Sequence, residues 1–558
     1  MNFSNKFLSQ TITQLCLSKG IDHIVISPGS RNAPLTIGFT ENPNFNCFSV
    51  VDERCAAFFA LGMAQQIKKP VALVCSSGSA LLNYFPAVAE AFYSDIPLVI
   101  LSADRPEELL EIGDGQTIQQ EGVYGKHILY NANCKEGNDE QVFNETEINI
   151  ALNTALELNG PVHINLPFTE PLYSTVEKLD VNPQNVPART VSEEIPENLH
   201  ELVAQWNNSS KKMILVGVLS PNSVEEKYID ALAKDESVLV FTETTSNLHH
   251  KNFIPAIDQL ITSLDEEDFK ALQPDILLTF GGMVVSKRIK KFLRNHKPKA
   301  HWHVDAKKAY DTYFSLSQHI KTTPNTFFKA FLPKTKQVSS PYQHNWLASK
   351  NKRTTLHHKY ISTVPYSDFK VYSEIFKYLP NNTQIQVANS AAIRYAQLFD
   401  IPSAVQVFCN RGTSGIDGSV STAVGAAYAS QLPTVLITGD LSFFYDSNGL
   451  WNNYISSNFK IILINNSGGG IFRILPGAKD TQHFNQFFET RHQLTAQHLC
   501  KMYDFEYLSV NDETTLKERL NHFFSEINSS SEKPKILEVF TPSEVNDIVL
   551  SDYFKFIN

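Results

Sequence analysis

The segment FKIILINNSGGGIF, residues 459–472, runs from a continuous apolar stretch directly into two asparagines and three glycines. A strand that is apolar along its whole length is typical of a parallel sheet whose two faces are covered by helices. Such sheets bind ligands in the crevice at the carboxyl ends of their strands. The segment therefore predicts a doubly wound α/β domain, and it places polar residues where such a domain binds ligands.

Similar apolar segments alternate with helix-like stretches along the whole chain, in three series. The first series contains DHIVIS (22–27), VALVCS (71–76), PLVILSA (97–103) and PVHINLP (161–167). The second contains KMILVGV (212–218), SVLVF (237–241), DILLTFGG (275–282) and HWHVD (301–305). The third contains TQIQVANS (383–390), AVQVFCN (404–410), PTVLITGD (433–440), the segment quoted above and PKILEVF (534–540). The pattern predicts an α/β fold of three doubly wound parallel-sheet domains.

Two breaks in this pattern suggest domain boundaries. A segment rich in proline and charge, 168–199, follows the first series, and a polar segment, 334–360, follows the second. We therefore expect an N-terminal domain over 1–185, a middle domain over 199–335 and a C-terminal domain over 360–558. A chain of 558 residues is expected to form about three or four domains.

The composition favours a large globular protein, with 42% apolar, 11% aromatic and 19% charged residues. The formal net charge of -10 argues against a nucleic-acid partner, because phosphate binding needs a concentrated basic face. No apolar run approaches the length of a membrane span, and the amino terminus lacks a signal-peptide pattern. The seven scattered cysteines suggest neither a disulfide framework nor a zinc site. We expect a cytoplasmic protein.

The ends of two predicted neighbouring strands carry the residues for a metal-diphosphate site. Asp440 ends PTVLITGD, and Asn465 and Asn466 end FKIILINN. Mg²⁺ prefers oxygen ligands, which Asp440, the Asn466 amide and a glycine carbonyl would supply. Gly439 and Gly468–Gly470 would let a diphosphate approach the backbone. Either loop alone is better explained as a turn, but the pairing of the two favours the metal diphosphate.

These loops also carry a resemblance to known enzymes. Gly439-Asp440-Leu441 followed by Asn465-Asn466 resembles the thiamine diphosphate motif, GDG then NN. The MenD family, the SEPHCHC synthases of menaquinone (vitamin K2) biosynthesis, has GDL in place of GDG. The chain resembles this family further in SPGSRNAPL (27–35), SADRPEEL (102–109), NRGTSGIDG (410–418) and GDLSFFYDSNGL (439–450). The likeness spans both terminal domains and, more weakly, the middle one.

The resemblance implies pyrimidine-binding, middle and diphosphate-binding domains, with thiamine diphosphate and Mg²⁺ or Mn²⁺ as cofactors. It also implies a transferase that decarboxylates 2-oxoglutarate and joins the remaining succinyl unit to isochorismate by 1,4-addition. The active sites would lie between the subunits of a homodimer or homotetramer. Two alternatives remain: another thiamine diphosphate-dependent 2-oxoacid decarboxylase or acetolactate-type synthase, and a catalytically inactive sensor that binds the cofactor.

Several residues have cofactor roles by the same resemblance. Glu53 would hydrogen-bond the thiamine pyrimidine, although a carboxylate in the first turn of a helix is often only solvated. Ile416 would bend the cofactor and Phe472 would line its pocket, although both would otherwise be assigned to packing. Gly439, Asp440, Asn466 and Gly468 would bind the diphosphate and metal, the metal ligands being Asp440, Asn466 and Gly468. No histidine is required by this chemistry, and His301 and His303 are interpreted as structural.

The resemblance also gives two sets of substrate residues. Ser30, Arg31, Arg105, Lys287 and Arg288 match the isochorismate side, Ser390, Arg394 and Arg411 match the 2-oxoglutarate side, and Gln116 matches a catalytic amide near the intermediate. Arginine suits carboxylate recognition because its planar fork forms two hydrogen bonds at once. Lys287 and Arg288 begin a basic helix, SKRIKKFLRNHKPK (286–299), whose charges could simply be solvated. Cations at a helix start oppose its dipole, and a bound anion would explain them.

Overall fold

A computed structural model describes residues 2–189, 194–430, 432–475, 477–525 and 533–558. Met1 of the predicted N-terminal domain lies outside these ranges. So do Gln431, Pro476 and residues 526–532 of the predicted C-terminal domain. Within the described ranges, the chain forms three six-stranded sheets in which every neighbouring pair of strands is parallel. The predicted α/β fold class is confirmed.

The first sheet has the order β3-β2-β4-β5-β7-β6, and a short antiparallel pair, β1 and β8, lies apart from it. The strands of this part of the chain are β1 Phe3–Ser4, β2 His23–Ile26, β3 Asn46–Ser49, β4 Val71–Cys75, β5 Leu98–Asp104, β6 Tyr130–Asn133, β7 Val162–Pro167 and β8 Thr175–Val176. The helices are α1 Phe7–Ser18, α2 Ala33–Thr40, α3 Glu53–Ile67, α4 Ala80–Asn83, α5 Phe85–Ser94 and α6 Gln141–Leu158.

The second sheet has the order β11-β10-β9-β12-β13-β14, with apolar clusters on both faces. Its strands are β9 Lys212–Val216, β10 Val238–Phe241, β11 Phe253–Ile254, β12 Ile276–Phe280, β13 Ala300–Val304 and β14 Leu316–Ile320. The helices are α7 Leu199–Asn207, α8 Glu226–Lys234, α9 Ile257–Ile261, α10 Glu266–Leu272, α11 Lys287–Asn295 and α12 Pro324–Phe331.

The third sheet has the order β16-β15-β17-β18-β20-β19. Its strands are β15 Gln384–Val387, β16 Gln406–Phe408, β17 Thr434–Gly439, β18 Phe459–Asn465, β19 Glu506–Val510 and β20 Lys535–Phe540. The helices, with α13 Tyr342–Thr363 before them, are α14 Asp368–Tyr378, α15 Ala391–Ala396, α16 Ser419–Ala429, α17 Asp440–Tyr445, α18 Ile471–Ile474, α19 Gln497–Met502, α20 Glu513–Ser525 and α21 Asn546–Phe556.

Each apolar segment of the three predicted series forms a strand, but five sheet strands carry no comparable signal. These five are β3, β6, β11, β14 and β19, and each lies at an edge of its sheet. An edge strand has one neighbour and is less enclosed, so polar residues are tolerated, as in YNAN of β6 and LSQHI of β14. The polar segment 334–360 mostly forms α13, which contacts the middle domain through Tyr342 and the C-terminal domain through His357.

Helices α3 and α16 pack against each other and join the N-terminal and C-terminal domains. A β-carbon at Gly62 of α3 would lie 2.0 Å from the carbonyl oxygen of Thr422, and one at Gly425 of α16 would lie 2.0 Å from that of Phe59. The two helices therefore touch through their backbones. Buried apolar residues of both helices belong to a single cluster that extends into both domains.

Replacement of Gly62 by alanine is expected to destabilise the protein by separating α3 from α16. Overpacking of this kind costs about 1–3 kcal/mol of unfolding free energy, which urea titration measures. Gly115→Ala is the control, because a β-carbon at Gly115 would meet no atom within 4 Å. Equal stability of the two variants would contradict the backbone contact.

Candidate active site

The loops after β17 and β18 meet at the carboxyl edge of the third sheet. Gly439 of β17 is paired in register with Ile464 of β18. Asp440 begins α17, and its side chain is almost fully buried. Its Oδ2 accepts a hydrogen bond of 2.9 Å from the backbone N–H of Gly468, and its Oδ1 accepts one of 2.7 Å from Leu441. The structure therefore brings the two loops together.

The two asparagines that end β18 have different surroundings. Asn465 points into the domain, where its Nδ2 donates to Glu538 and to the carbonyl of Leu494. The Nδ2 of Asn466 instead donates to Oδ2 of Asp368, over 2.9 Å. Because this bond occupies the nitrogen, the oxygen of the Asn466 amide is directed away from Asp368. Asp368 was not identified from the sequence, and burial raises its pKa to about 6.

Gly439 and Gly468 lack a β-carbon for two different structural reasons. A β-carbon at Gly439 would meet no protein atom within 4 Å, so the chain leaves space there. A β-carbon at Gly468, which has a φ of +150°, would lie 2.6 Å from the carbonyl oxygen of Glu489. The space beside Gly439 is compatible with the predicted approach of a diphosphate. Close packing against the chain itself is sufficient to explain glycine at 468.

The donor set fits a hard divalent cation. One buried carboxylate, one amide oxygen and nearby backbone carbonyls are oxygen ligands, which Mg²⁺ combines with phosphate oxygens and water. Within the described ranges, no group of three or more His, Cys, Asp or Glu side chains could hold a metal ion. A cation at Asp440 would therefore depend on the amide, the backbone and the diphosphate itself.

His492 lies beside Asp440, although no histidine was expected in the site. Its Nε2 is 3.2 Å from Oδ2 of Asp440 without an aligned hydrogen bond. Its Nδ1 accepts a hydrogen bond from the backbone N–H of Leu494, so in the neutral ring Nε2 carries the proton. The ring packs edge-on against Phe444, with 5.5 Å between centroids. The ring thus faces the candidate metal carboxylate with an N–H group.

Glu489 connects the described part of the loop that follows α18 to the glycine turn. Its backbone carbonyl accepts from the N–H of Gly469 over 2.6 Å, and its carboxylate pairs with Arg473 and Arg491. Burial opposes the charge on Glu489, but these two arginines hold its pKa below the ordinary value. The described residues at the end of this loop therefore lie against the candidate site.

The three other predicted cofactor residues are all partly buried. Glu53 is the first residue of α3, and within the described residues its carboxylate takes part in no hydrogen bond or ion pair. The N-terminus of this helix is capped by Asp52, which accepts from the backbone N–H of Cys55. The backbone carbonyl of Ile416 accepts from Ser442 Oγ of α17 over 3.0 Å. Phe472 packs edge-on against Phe488. Glu53 is thus available to a ligand.

Two predicted cations lie together in the N-terminal domain. Arg31 is buried and donates to the carbonyl oxygen of Phe168 over 2.8 Å. Burial and the neighbouring Arg105 lower the pKa of Arg31. Arg105 donates to the carbonyl oxygen of Gly115 and lies 3.5 Å from Asp114. Ser30 and Gln116 are exposed residues of the same two loops.

A buried polar network supports Arg105. Ser102 Oγ lies 2.7 Å from His163 Nε2, and Asn165 donates to Asp104 over 2.8 Å. Gln120 donates to Asn165 and accepts from the N–H of Gly78, which fixes the far end of the loop that begins at Arg105. Burial lowers the pKa of His163 to about 3, so this histidine is neutral.

A second pair of cations, Arg394 and Arg411, lies in the C-terminal domain. Burial, followed by the proximity of Arg411, lowers the pKa of Arg394. Arg411 donates to Asn389 Oδ1 over 2.7 Å. The Nε atoms of both arginines are buried without a hydrogen-bond partner among the described residues. Ser390, just before α15, has a φ of +66°, a strained value for serine.

The surroundings of Lys287 and Arg288 bear on the bound anion that the sequence suggested at the start of α11. Buried Glu243 accepts from the backbone N–H groups of Val285 and Ser286 at the start of α11. Burial raises the pKa of Glu243 to about 7 despite these two hydrogen bonds, so the cations at the helix start have an acidic neighbour within the chain. Arg288 lies 3.9 Å from Asp258 and stacks on Phe554, and Lys287 is exposed. Their contact with substrate stays a prediction.

Lys290, one turn further along α11, was not predicted, but its charge interacts with the arginine pair. Burial lowers its pKa, Glu243 opposes this effect, and Arg411 and Arg394 add to it. Lys290 therefore shares the electrostatic environment of both arginines. The sequence offered no signal for it, because it is one of several lysines on the same basic helix.

Two family descriptions match the chain. Residues 7–126 match "Thiamine pyrophosphate enzyme, N-terminal TPP binding domain", and residues 186–387 match "Middle domain of thiamine pyrophosphate". Within the described ranges, no helix combines the length and apolar character needed to cross a bilayer.

Curated relatives match over nearly the whole chain, and three of them carry the name 2-succinyl-5-enolpyruvyl-6-hydroxy-3-cyclohexene-1-carboxylate synthase. The protein of Flavobacterium psychrophilum is 58% identical over 548 residues, which cover 98% of each chain. That of Flavobacterium johnsoniae is 56% identical over 550 residues, again 98% of each. That of Porphyromonas gingivalis is 36% identical over 572 residues, covering 100% of this chain and 98% of the relative.

Asp368→Asn is expected to weaken Mg²⁺ binding about 10–100-fold, as loss of a ligand-orienting partner does. The new amide could donate to the Asn466 oxygen and turn it away from the cation. Calorimetric titration with Mg²⁺ in the presence of thiamine diphosphate measures the effect. Glu374→Gln is the control, because this buried carboxylate of α14 pairs with Lys370 and Lys377. An unchanged Mg²⁺ affinity in Asp368→Asn would refute the orienting role.

Neutral His163 predicts a pH dependence of stability. The unfolded chain binds a proton at this histidine below about pH 6.5, whereas the folded chain does so only near pH 3. The contribution of neutral His163 to the free energy of unfolding is therefore fully present above about pH 6.5, and it is lost as the pH falls. Between about pH 7 and about pH 5, the free energy of unfolding of the wild type should fall by about 2 kcal/mol more than that of His163→Gln. Urea unfolding at the two pH values measures this difference. His344→Gln, at an exposed site on α13, should behave like the wild type.

Proposed function

Because the chain belongs to the family of 2-succinyl-5-enolpyruvyl-6-hydroxy-3-cyclohexene-1-carboxylate (SEPHCHC) synthases, thiamine diphosphate-dependent transferases of menaquinone biosynthesis, we propose that it joins a succinyl unit from 2-oxoglutarate to isochorismate. Decarboxylation of the 2-oxoacid precedes the 1,4-addition, and the product is SEPHCHC. The observation that carries the proposal is the presence of two separate arginine pairs, Arg31 with Arg105 and Arg394 with Arg411. Two pairs suit two substrates that each bear carboxylates.

The cofactor residues follow from the same proposal. Asp440, the oxygen of Asn466 and the carbonyl of Gly468 would hold Mg²⁺ or Mn²⁺, and Gly439 would give the diphosphate room at the backbone. Ile416 and Phe472 would contact the thiamine rings. Bound thiamine diphosphate supplies the electron sink for the decarboxylation.

Glu53 would act on the pyrimidine ring as a hydrogen-bond acceptor. Its carboxylate has no partner within the described residues, which supports a role with a ligand. An ionised carboxylate beside a protonated ring nitrogen is stabilised by the opposite charge, and this offsets the cost of its burial. Gln116 in its exposed loop would offer an amide to the reacting substrate.

The arginines would orient two acids that repel each other. Arg394, Arg411 and Ser390 would bind 2-oxoglutarate, and Arg31, Arg105 and Ser30 would bind isochorismate, with Lys287 and Arg288 as further candidates. The buried Nε atoms of Arg394, Arg411 and Arg105 have no partner in the described chain, so a carboxylate would satisfy donors that are otherwise unpaired. Such preorganised charge and proximity would supply most of the acceleration.

We further propose a homodimer or homotetramer that works in the cytoplasm. In related enzymes, the activating glutamate and the diphosphate site come from different subunits, and an unpartnered Glu53 is compatible with that arrangement. The seven cysteines are unpaired in the described chain, which supports a reducing compartment.

The proposed reaction is separated from its alternatives by product analysis. The protein with Mg²⁺ and thiamine diphosphate should release carbon dioxide from 2-oxoglutarate in preference to pyruvate, and should form SEPHCHC when isochorismate is added. Equal product formation from pyruvate would overturn the assignment in favour of a decarboxylase or acetolactate-type synthase. Cofactor binding without turnover would indicate a sensor.

Arg394→Ala is expected to lower kcat/KM for 2-oxoglutarate about 10–100-fold, because a charged hydrogen bond contributes about 1.5–3 kcal/mol. Steady-state kinetics with isochorismate at saturation measures the change. Arg294→Ala is the matched control, since Arg294 on α11 donates to the carbonyl oxygen of Thr312 and stacks on Phe314. A similar loss in both variants would show that Arg394 does not bind the substrate.

A further inference from the structure

Glu90 of α5 is a buried carboxylate whose hydrogen bonds cross from the N-terminal to the C-terminal domain. Its side chain is 1% exposed. Oε1 accepts from the backbone N–H of Gly412 over 2.7 Å, and Oε2 accepts from the N–H of Thr413 over 2.6 Å and its hydroxyl over 2.8 Å. Ser94 Oγ of the same helix also donates to Oε1, over 2.8 Å. Backbone and hydroxyl donors thus satisfy both carboxylate oxygens.

The loop that Glu90 holds, residues 410–418, carries two proposed site residues, Arg411 and Ile416. Its other side is held by Asn389, whose Nδ2 donates to the carbonyl oxygens of Asn410 and Gly415, each over 2.7 Å. Asn389 Oδ1 also accepts from Arg411 Nη1. The loop is therefore fixed from within its own domain by Asn389 and from the neighbouring domain by Glu90.

The backbone of the loop touches α5 directly. A β-carbon at Gly412 would lie 2.6 Å from the carbonyl oxygen of Glu90 and 2.8 Å from Ser94 Oγ. Because Gly412 and Thr413 directly follow Arg411, the bonds to Glu90 fix the backbone from which the Arg411 side chain projects. A shift of this backbone would move the guanidinium group by a similar distance.

We propose that Glu90 is a positioning residue that sets Arg411, and through the rest of the loop Ile416, for substrate and cofactor. Without the carboxylate, the N–H groups of Gly412 and Thr413 lose their acceptors, and the loop keeps only bonds within its own domain, such as those from Asn389 and Ser442. Arg411 then samples more positions, and 2-oxoglutarate binds less tightly. The assignment of 2-oxoglutarate rests on the proposed function, whereas the effect on the loop does not.

Glu90→Gln tests the proposal, because the amide keeps the size of the side chain but replaces one of the two acceptor oxygens with an NH2 group, which cannot accept from a backbone N–H. KM for 2-oxoglutarate should rise at least about tenfold, the effect expected from one lost charged hydrogen bond, with a smaller change in kcat. Hydrogen–deuterium exchange of the peptide containing residues 410–418, followed by mass spectrometry in the protein without cofactor, should become faster. Glu90→Asp, which keeps the charge, should recover part of both effects.

Two further variants separate positioning from stability. Gly412→Ala forces the loop from α5 without changing the buried carboxylate, and it should reproduce the rise in KM and the faster exchange. Asp95→Asn is the matched control: Asp95 follows the same helix and pairs with Lys307 and Lys308 of the middle domain. Its left-handed backbone conformation, with a φ of +55°, also suits asparagine. Asp95→Asn should leave KM and the exchange of the loop unchanged.

The outcomes distinguish this proposal from the proposed function. A lower melting temperature in Glu90→Gln and Gly412→Ala, with unchanged KM and exchange, would overturn the positioning role. Faster exchange without any change in KM would also overturn it, because the loop would then not set the substrate site. If the wild type fails to decarboxylate 2-oxoglutarate, the proposed function is wrong. Unchanged hydrogen–deuterium exchange in the Glu90 variants would independently refute the role of Glu90 in holding the loop 410–418.

Discussion

The backbone contact between α3 and α16 is the constraint on which the rest of the molecule depends. Gly62 and Gly425 allow the two helices to approach until backbone atoms touch, and a shared apolar cluster surrounds them. This contact fixes the N-terminal domain against the C-terminal domain. Because α3 begins at Glu53 and α16 follows the loop 410–418, the same contact sets the positions of candidate residues from both domains.

Three buried carboxylates in the described chain accept hydrogen bonds from pairs of backbone N–H groups. Glu90 accepts from Gly412 and Thr413, and Glu243 accepts from Val285 and Ser286. Asp440 similarly accepts from Leu441 and Gly468. A backbone N–H group is fixed in direction, so each of these carboxylates determines the shape of a loop or a helix start. The arginines Arg394 and Arg411 keep unpaired donors, which a substrate carboxylate could use.

The candidate site combines rigid strand ends with loops that are held by distant residues. Asp440 and Asn466 follow adjacent strands, so the register of β17 and β18 determines their separation. Asp368 and His492 then act on these two side chains from α14 and from the loop after the glycines. Arg31 and Arg105 follow strands of the first sheet, so loops of both terminal domains supply the candidate residues.

The sequence by itself determined the three parallel sheets, because buried strands leave continuous apolar segments, and it identified the strand ends at Asp440 and Asn466. It also identified Arg394 and Arg411 through their likeness to a known family. It carried no signal for Asp368, His492, Lys290 or Glu90, and it suggested a bound anion at the start of α11, where Glu243 accepts from the backbone N–H groups of Val285 and Ser286. Only the tertiary structure decided these contacts. Glu90 and Gly412 are 322 positions apart in the sequence. Local periodicity indicates which face of a helix or strand is buried, but it does not indicate which distant residue packs against that face.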